Sequence, residues 1–119
     1  MIKLFILSGI VFFTAIQAHA SAIEDEISHL LLFVKNTECE YDRNGTIHNG
    51  KEAAKHIQTK YNYFKKKITS TEEFIELSAT KSTLSGKPYT VQCEGVEKIT
   101  SKDWLLNELE NYRVGNALR

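Results

Sequence analysis

The sequence contains only two cysteines, Cys39 and Cys93, so a single intramolecular disulfide is possible. This bond would close a loop of about 55 residues, and the chain-entropy model assigns such a loop roughly 4 kcal/mol of stabilisation. A redox function would favour the Cys-x-x-Cys spacing, which lowers the pKa of a thiol. The two cysteines therefore predict a structural disulfide that ties the first half of the chain to the second.

The first twenty residues have the composition of a secretory signal peptide. A short basic head precedes an apolar run from Leu4 to Ile16, and Ala18-His19-Ala20 matches an A-x-A cleavage site. The apolar run is shorter than the ~20 residues that cross a bilayer as a helix. We expect residues 1–20 to be a signal peptide that is cleaved after Ala20. The mature chain would then be periplasmic or secreted, without a transmembrane segment, in a compartment where disulfides form.

The remaining chain, residues 21–119, has the length of one small domain. It carries 14 basic and 15 acidic side chains, a net charge of −1. Nucleic-acid-binding domains usually have a clear basic excess, so we expect no nucleic-acid partner.

Hydrophobic spacing predicts a helix directly after the signal peptide. Five apolar residues recur at i, i+4, i+7, i+8 and i+11, which places them on one face of a helix; they are Ile23, Ile27, Leu30, Leu31 and Val34.

The next segment predicts a hairpin that leads into a second helix. Residues 39–43 and 46–48 read as short strands around Asn44-Gly45, a dipeptide preferred in type I′ turns because both central residues take positive φ. Asn49 can cap the helix that follows. The apolar side of that helix comprises Ala53, Ala54, Ile57, Tyr61 and Phe64.

The last third predicts two more helices and one strand. Ser70 to Glu73 forms a Ser-x-x-Glu capping box at the start of a short helix. Residues 80–87 read as a polar loop, residues 88–93 as a strand that begins at a proline, and Thr100-Ser101 as the cap of a final helix. The predicted fold is a single α+β domain of order α-β-β-α-α-β-α, with a short antiparallel sheet packed by helices and one disulfide.

Catalytic motifs are weak in this sequence. Ser78-Ala79-Thr80-Lys81 fits Ser-x-x-Lys without the other motifs of that class. Ser85-Gly86-Lys87 lacks the first glycine and the final Ser or Thr of a phosphate loop. The sequence therefore predicts no catalytic residue, no metal site and no cofactor.

Two alternatives stay open. The first is a small envelope hydrolase in which His48 or His56 approaches Asp42 or Glu52 as an acid–base pair. The second is a peripheral contact with anionic lipid through the basic run at residues 65–67.

Several motifs together resemble the YfeK-like family of small exported bacterial proteins. The similarity covers roughly Ile23 to Arg113 and includes Cys39 followed by YDRNG, AAKHIQTKY, TSTEEFIELSATKSTLSGKPYTVQC and SKDWLLNELENYR. The segment after the turn, Thr46 to Gly50, departs most from the family pattern, so no role is transferred to His48. The resemblance implies a periplasmic location and a compact domain, and it implies no known activity.

The leading interpretation is a non-enzymatic, monomeric binding domain of the cell envelope, whose partner is an envelope protein or a small ligand. Loops on a rigid scaffold are where binding residues concentrate. We therefore predict a binding surface on the hairpin and the loop at residues 82–87, comprising Asp42, Arg43, Asn44, His48, Asn49, Ser85 and Lys87.

Overall fold

The computed structural model describes residues 11–119, and side chains from residue 22 onward. The predicted signal peptide lies outside the residues whose side chains are described, and its cleavage stays a prediction. The described helices are α1 (Val11–Lys35), α2 (Gly50–Phe64), α3 (Thr71–Ser78) and α4 (Ser101–Ala117), and the strands are β1 (Glu40–Arg43), β2 (Thr46–His48), β3 (Thr90–Gln92) and β4 (Ile99–Thr100).

Polar caps begin three of these helices at the predicted positions. Asn49 and Glu52 form a reciprocal capping box at the start of α2. The Ser70 hydroxyl accepts a hydrogen bond from the backbone N–H of Glu73, while the Glu73 carboxylate binds Thr69 instead of returning to Ser70. Thr100 caps α4 by accepting from the backbone of Asp103. Each cap satisfies N–H groups that have no partner inside the helix.

The four strands form one antiparallel sheet in the order β2-β1-β3-β4. The turn between β1 and β2 has φ values of 58° at Asn44 and 90° at Gly45, so both residues adopt the positive φ that a type I′ turn requires. Strand β4 has only two residues, too few for a recognisable alternating pattern, and it adds a short strand to the predicted order.

The core lies between the helices and one face of the sheet. Tyr41 of β1 is fully buried, and its hydroxyl forms a 2.6 Å hydrogen bond with the Ser101 hydroxyl at the start of α4. The other buried apolar residues are Ile27, Leu30, Val34, Ala53, Ala54, Ile57, Phe74, Ile75, Ala79, Tyr89, Val91, Leu105 and Leu109. These residues come from α1, α2, α3, α4 and the central strands, so the described elements share one core.

Cys39 and Cys93 form the predicted disulfide. Because Glu40 pairs with Gln92 in the antiparallel ladder, the two cysteines stand at adjacent ends of β1 and β3. The α+β fold and its single disulfide are therefore confirmed.

An ion-pair network joins three of the helices. The Arg113 guanidinium of α4 lies 2.8 Å from a carboxylate oxygen of Glu26 in α1 and 2.8 Å from one of Glu72 in α3. Hydrogen bonds from Arg113 lower the pKa of both glutamates. This network lies among the helices rather than at the hairpin.

Candidate functional site

The hairpin presents different residues on its two faces. Arg43 stands directly opposite Thr46, and Tyr41 opposite His48, so these side chains share one face of the sheet. Asp42 is paired with Ile47 on the other face. Because side chains alternate along a strand, Asp42 and Arg43 serve different surfaces.

The loop at residues 82–87 is fixed against the hairpin turn. The Ser85 hydroxyl donates a 2.8 Å hydrogen bond to the Asn44 side-chain oxygen, across 41 positions of sequence. Within the loop, the Ser82 N–H donates to the Lys87 carbonyl and the Gly86 N–H donates to the Ser82 carbonyl. Gly86 has φ +75°, a backbone conformation in which a side chain would be strained.

Helix α2 and Tyr89 complete the space between the hairpin and this loop. His56 and Lys60 are four positions apart on α2, and therefore project from one side of the helix. The Tyr89 hydroxyl lies 3.2 Å from His56 Nε2 and 3.4 Å from Lys60 Nζ. Lys60 also donates a 2.9 Å hydrogen bond to the Lys81 carbonyl. The tyrosine thus holds both α2 side chains in place.

An open groove of about 420 Å³ lies between these elements, and we call it the hairpin groove. Its volume falls in the range of small-ligand sites, roughly 300–1,000 Å³. It is lined by Arg43, Asn44, Thr46, His48, His56, Lys60, Ser82, Thr83, Leu84 and Tyr89.

The hairpin groove concentrates positive charge. Arg43 and Lys60 are both half-buried, and within residues 22–119 neither side chain has a carboxylate oxygen within 4 Å. Burial lowers the pKa of Lys60, and the positive charge of Arg43 lowers it further. Burial raises the pKa of the Tyr89 hydroxyl, and Arg43 opposes that rise. Arg43 therefore acts electrostatically on both α2 and Tyr89.

We expect His56 to titrate with a pKa of about 4, below its usual value of 6.5. Burial is the largest cause, and the positive groups Arg43, Lys60 and His48 add to it. Between pH 6.5 and about 4, His56 is protonated in the unfolded chain but stays neutral in the folded protein. The free energy of unfolding therefore decreases as the pH falls through this window. The measurement is an NMR titration of the His56 ring protons.

Denaturant unfolding provides the control for this titration. The glutamates with lowered pKa values, Glu26, Glu72 and Glu73, lose their contribution below about pH 4.5. His56→Gln should therefore flatten the pH dependence of stability between pH 6.5 and 4.5 and leave the acid limb in place. An NMR inflection near pH 6.5 would contradict this account of His56.

The structure brings four residues of the predicted binding surface together. Arg43, Asn44 and His48 line the hairpin groove, and Ser85 holds its wall through the hydrogen bond to Asn44.

The other three predicted surface residues lie elsewhere. Asp42 lines a smaller cavity of about 170 Å³ on the opposite face of the sheet, and its carboxylate accepts a hydrogen bond from the Gly45 N–H. Asn49 caps α2. Lys87 is exposed and contributes to the loop through its backbone groups.

The alternative histidine–carboxylate pair occurs in one of its predicted combinations. His48 Nδ1 lies 3.5 Å from Glu52 Oε1, at the edge of hydrogen-bond distance. The same Glu52 oxygen accepts a 3.1 Å hydrogen bond from the Asn49 N–H in the capping box. His56 instead contacts Tyr89, and Asp42 faces away from both histidines.

The basic run Lys65–Lys67 forms an exposed 3₁₀ turn at the end of α2. Tyr63 is 81% exposed beside it, whereas Tyr61 packs edge-on against Phe74. This surface is separate from the residues that line the hairpin groove.

The described residues contain neither a cluster suited to a metal ion nor a helix suited to span a membrane. Across residues 11–119, no three His, Cys, Asp or Glu side chains gather closely enough to hold a metal ion. None of the helices in that range has both the length and the apolar character of a membrane span.

Lys60 and Tyr89 line the hairpin groove but are not part of the binding surface predicted from the sequence. Lys60 reads as one of several solvated lysines of α2, and Tyr89 reads as a strand residue. The i, i+4 spacing of His56 and Lys60 was a usable signal, since it places two polar groups on one helical face. Their meeting with Tyr89 depends on how α2 packs against the sheet.

The chain is a small α+β domain, and its sequence places it in a family of unknown function. A family model described as "Family of unknown function (DUF5329)" matches residues 21–113, and the chain is a member of that family.

A curated relative supports the same assignment. The chain is 31% identical over 74 residues to "Uncharacterized protein YfeK" of Salmonella typhimurium. The match covers 62% of this chain and 60% of the relative. The YfeK-like resemblance of the sequence motifs is thus confirmed. No solved structure matches the chain.

Proposed function

We propose that the protein is exported with cleavage of residues 1–20, and that its folded part is a non-enzymatic binding domain of the cell envelope. The hairpin groove is its ligand site. Export is supported by the signal-peptide pattern and by the disulfide, which is typical of oxidising compartments.

One observation carries the binding site: the Asn44–Ser85 hydrogen bond, which joins the hairpin turn to the loop at residues 82–87 over a common groove. The two loops come from distant parts of the chain and are fixed to each other by hydrogen bonds, while the disulfide holds β1 and β3 together at the opposite ends of these strands. A site held in one arrangement before binding loses less entropy when a ligand binds.

Photocrosslinking in living cells tests this proposal. Leu84 is 97% exposed and lines the groove, so a photoreactive amino acid at this position should form a reproducible adduct with the ligand. Mass spectrometry of the recovered protein reads the adduct mass. The same spectrum should show Ser21 as the first residue if the signal peptide is cleaved.

Val114 provides the matched control position. It is 53% exposed on α4 and is not among the groove residues. A photoreactive residue at position 114 should not form the adduct that is found at position 84. Equal adducts at both positions, or none at either, would overturn the assignment of the groove, and retention of residues 1–20 would overturn export.

Hydrolysis is the second candidate function, and the 3.5 Å approach of His48 Nδ1 to Glu52 Oε1 favours it. Here the imidazole would act as a general base for a water molecule, with the carboxylate orienting the ring. Turnover of p-nitrophenyl phosphate or acetate that His48→Gln abolishes would replace the binding proposal by this one.

A further inference from the structure

We infer that the hairpin groove recognises a phosphate-like oxyanion carried by a small molecule or by a lipid headgroup, with Arg43 and Lys60 as the charged contacts. This inference rests on the proposed function and names the chemical class of its ligand.

The charged groups that line the groove are all basic. Its lining contains one guanidinium, one ammonium and two imidazoles, and no carboxylate is among these residues of the described chain. Like charges that are half-buried together repel each other, and the repulsion is stronger than in open water. An anion in the groove would turn this repulsion into attraction.

Both cations of the groove have N–H groups available for a ligand. A lysine ammonium has three N–H groups. In Lys60 one points to the Lys81 carbonyl and one to the Tyr89 hydroxyl, which leaves the third for a ligand. Within residues 22–119 the Arg43 guanidinium lies in no ion pair, and its planar fork matches two oxygens of an oxyanion.

The donor-bearing residues surround the groove from several sides. Three residues with hydroxyl groups, Thr46, Ser82 and Thr83, line the same groove as the two cations. Donors that approach from the hairpin, from α2 and from the loop surround a common space. A tetrahedral group with several oxygens can accept from such directions, whereas a planar carboxylate has fewer acceptor positions.

The rim of the groove adds an apolar element. Leu84 is 97% exposed beside the charged residues. Exposed leucine at a polar site can cover the carbon skeleton of a ligand. We therefore assign the ligand as an organic phosphate or a phospholipid headgroup rather than as a free inorganic ion alone.

The test is an NMR titration of the protein purified as the cell produces it, at pH 7 and in physiological salt to screen weak surface attraction. The probes are inorganic phosphate, glycerol 3-phosphate, and phosphatidylcholine vesicles with or without phosphatidic acid. We expect glycerol 3-phosphate or the phosphatidic acid vesicles to shift the groove amides and to bind at about 1 mM or tighter. Tighter binding of glycerol 3-phosphate indicates a soluble ligand, and tighter binding of the phosphatidic acid vesicles indicates a lipid headgroup.

Charge variants distinguish this site from general attraction. Arg43→Gln and, separately, Lys60→Gln should each weaken binding at least about tenfold, because each removes a charge-assisted hydrogen bond. Lys98→Gln is the matched control, since Lys98 is exposed on the opposite face of the sheet. Equal losses in all three variants would overturn the inference, as would the absence of groove shifts with every phosphate probe.

The ligand class and the proposed function can fail separately. If no phosphate probe binds while the Leu84 photoadduct persists, the groove is a binding site for another chemistry and the oxyanion assignment is wrong. If the photoadduct is also missing, the binding function of the groove fails with it.

Discussion

Replacing both Cys39 and Cys93 by alanine is expected to lower the free energy of unfolding by about 4 kcal/mol. The disulfide joins residues 54 positions apart, and without it the unfolded chain gains the entropy that this closed loop removes. Against the ~5–15 kcal/mol of a typical domain this is a large fraction. The midpoint of thermal unfolding should fall by roughly 15–30 °C.

The measurement is denaturant unfolding of the variant and of the natural protein, each with and without a thiol reductant. Reduction should bring the natural protein close to the stability of the variant and should leave the variant unchanged. A loss of less than about 1 kcal/mol would contradict the loop-closure account. The pairing itself is read by peptide mapping under non-reducing conditions.

Gly50→Ala is expected to destabilise the protein by about 1–3 kcal/mol or more, the range of overpacked sites. A Cβ atom at this position would lie 2.3 Å from the Val34 carbonyl oxygen and 3.0 Å from the Lys35 carbonyl oxygen. Both contacts are with backbone at the end of α1, so relief requires one helix to move. In an open helical site the same change would be favourable.

Gly115→Ala supplies that open site for comparison. Gly115 lies in α4, and apart from the adjacent backbone of that helix no atom of the described residues lies within 4 Å of the Cβ position. Alanine there should leave stability unchanged or raise it by up to about 1 kcal/mol. Chemical denaturation measures the free energy of unfolding of both variants. Equal values would contradict the prediction that close packing of α2 against α1 excludes a side chain at position 50.

The disulfide and Gly50 both position elements that carry residues of the hairpin groove. The disulfide holds β1 beside β3, and the close packing at Gly50 sets where α2 begins against α1. Because His56 and Lys60 project from α2 toward Tyr89, a shift of that helix would move two groove residues together. We expect Gly50→Ala to weaken ligand binding as well as stability.

The opposite faces of Asp42 and Arg43 show what sequence reasoning could have added. Adjacent residues of a strand point to opposite sides, and the type I′ turn fixes the register of the hairpin. The strand and its turn were both recognised from the sequence. The separation of the two side chains was therefore predictable from local rules alone.

The sequence by itself determined the helices, the hairpin turn and the α+β class. These features depend on periodicity, on caps such as Asn49, and on residues such as Gly45 that tolerate positive φ, so they are encoded over a few positions. Only the tertiary structure decided that Arg43, Lys60 and Tyr89 meet, and that Gly50 touches the end of α1. Those contacts depend on the angles and distances at which whole elements pack, and no short stretch of sequence specifies them.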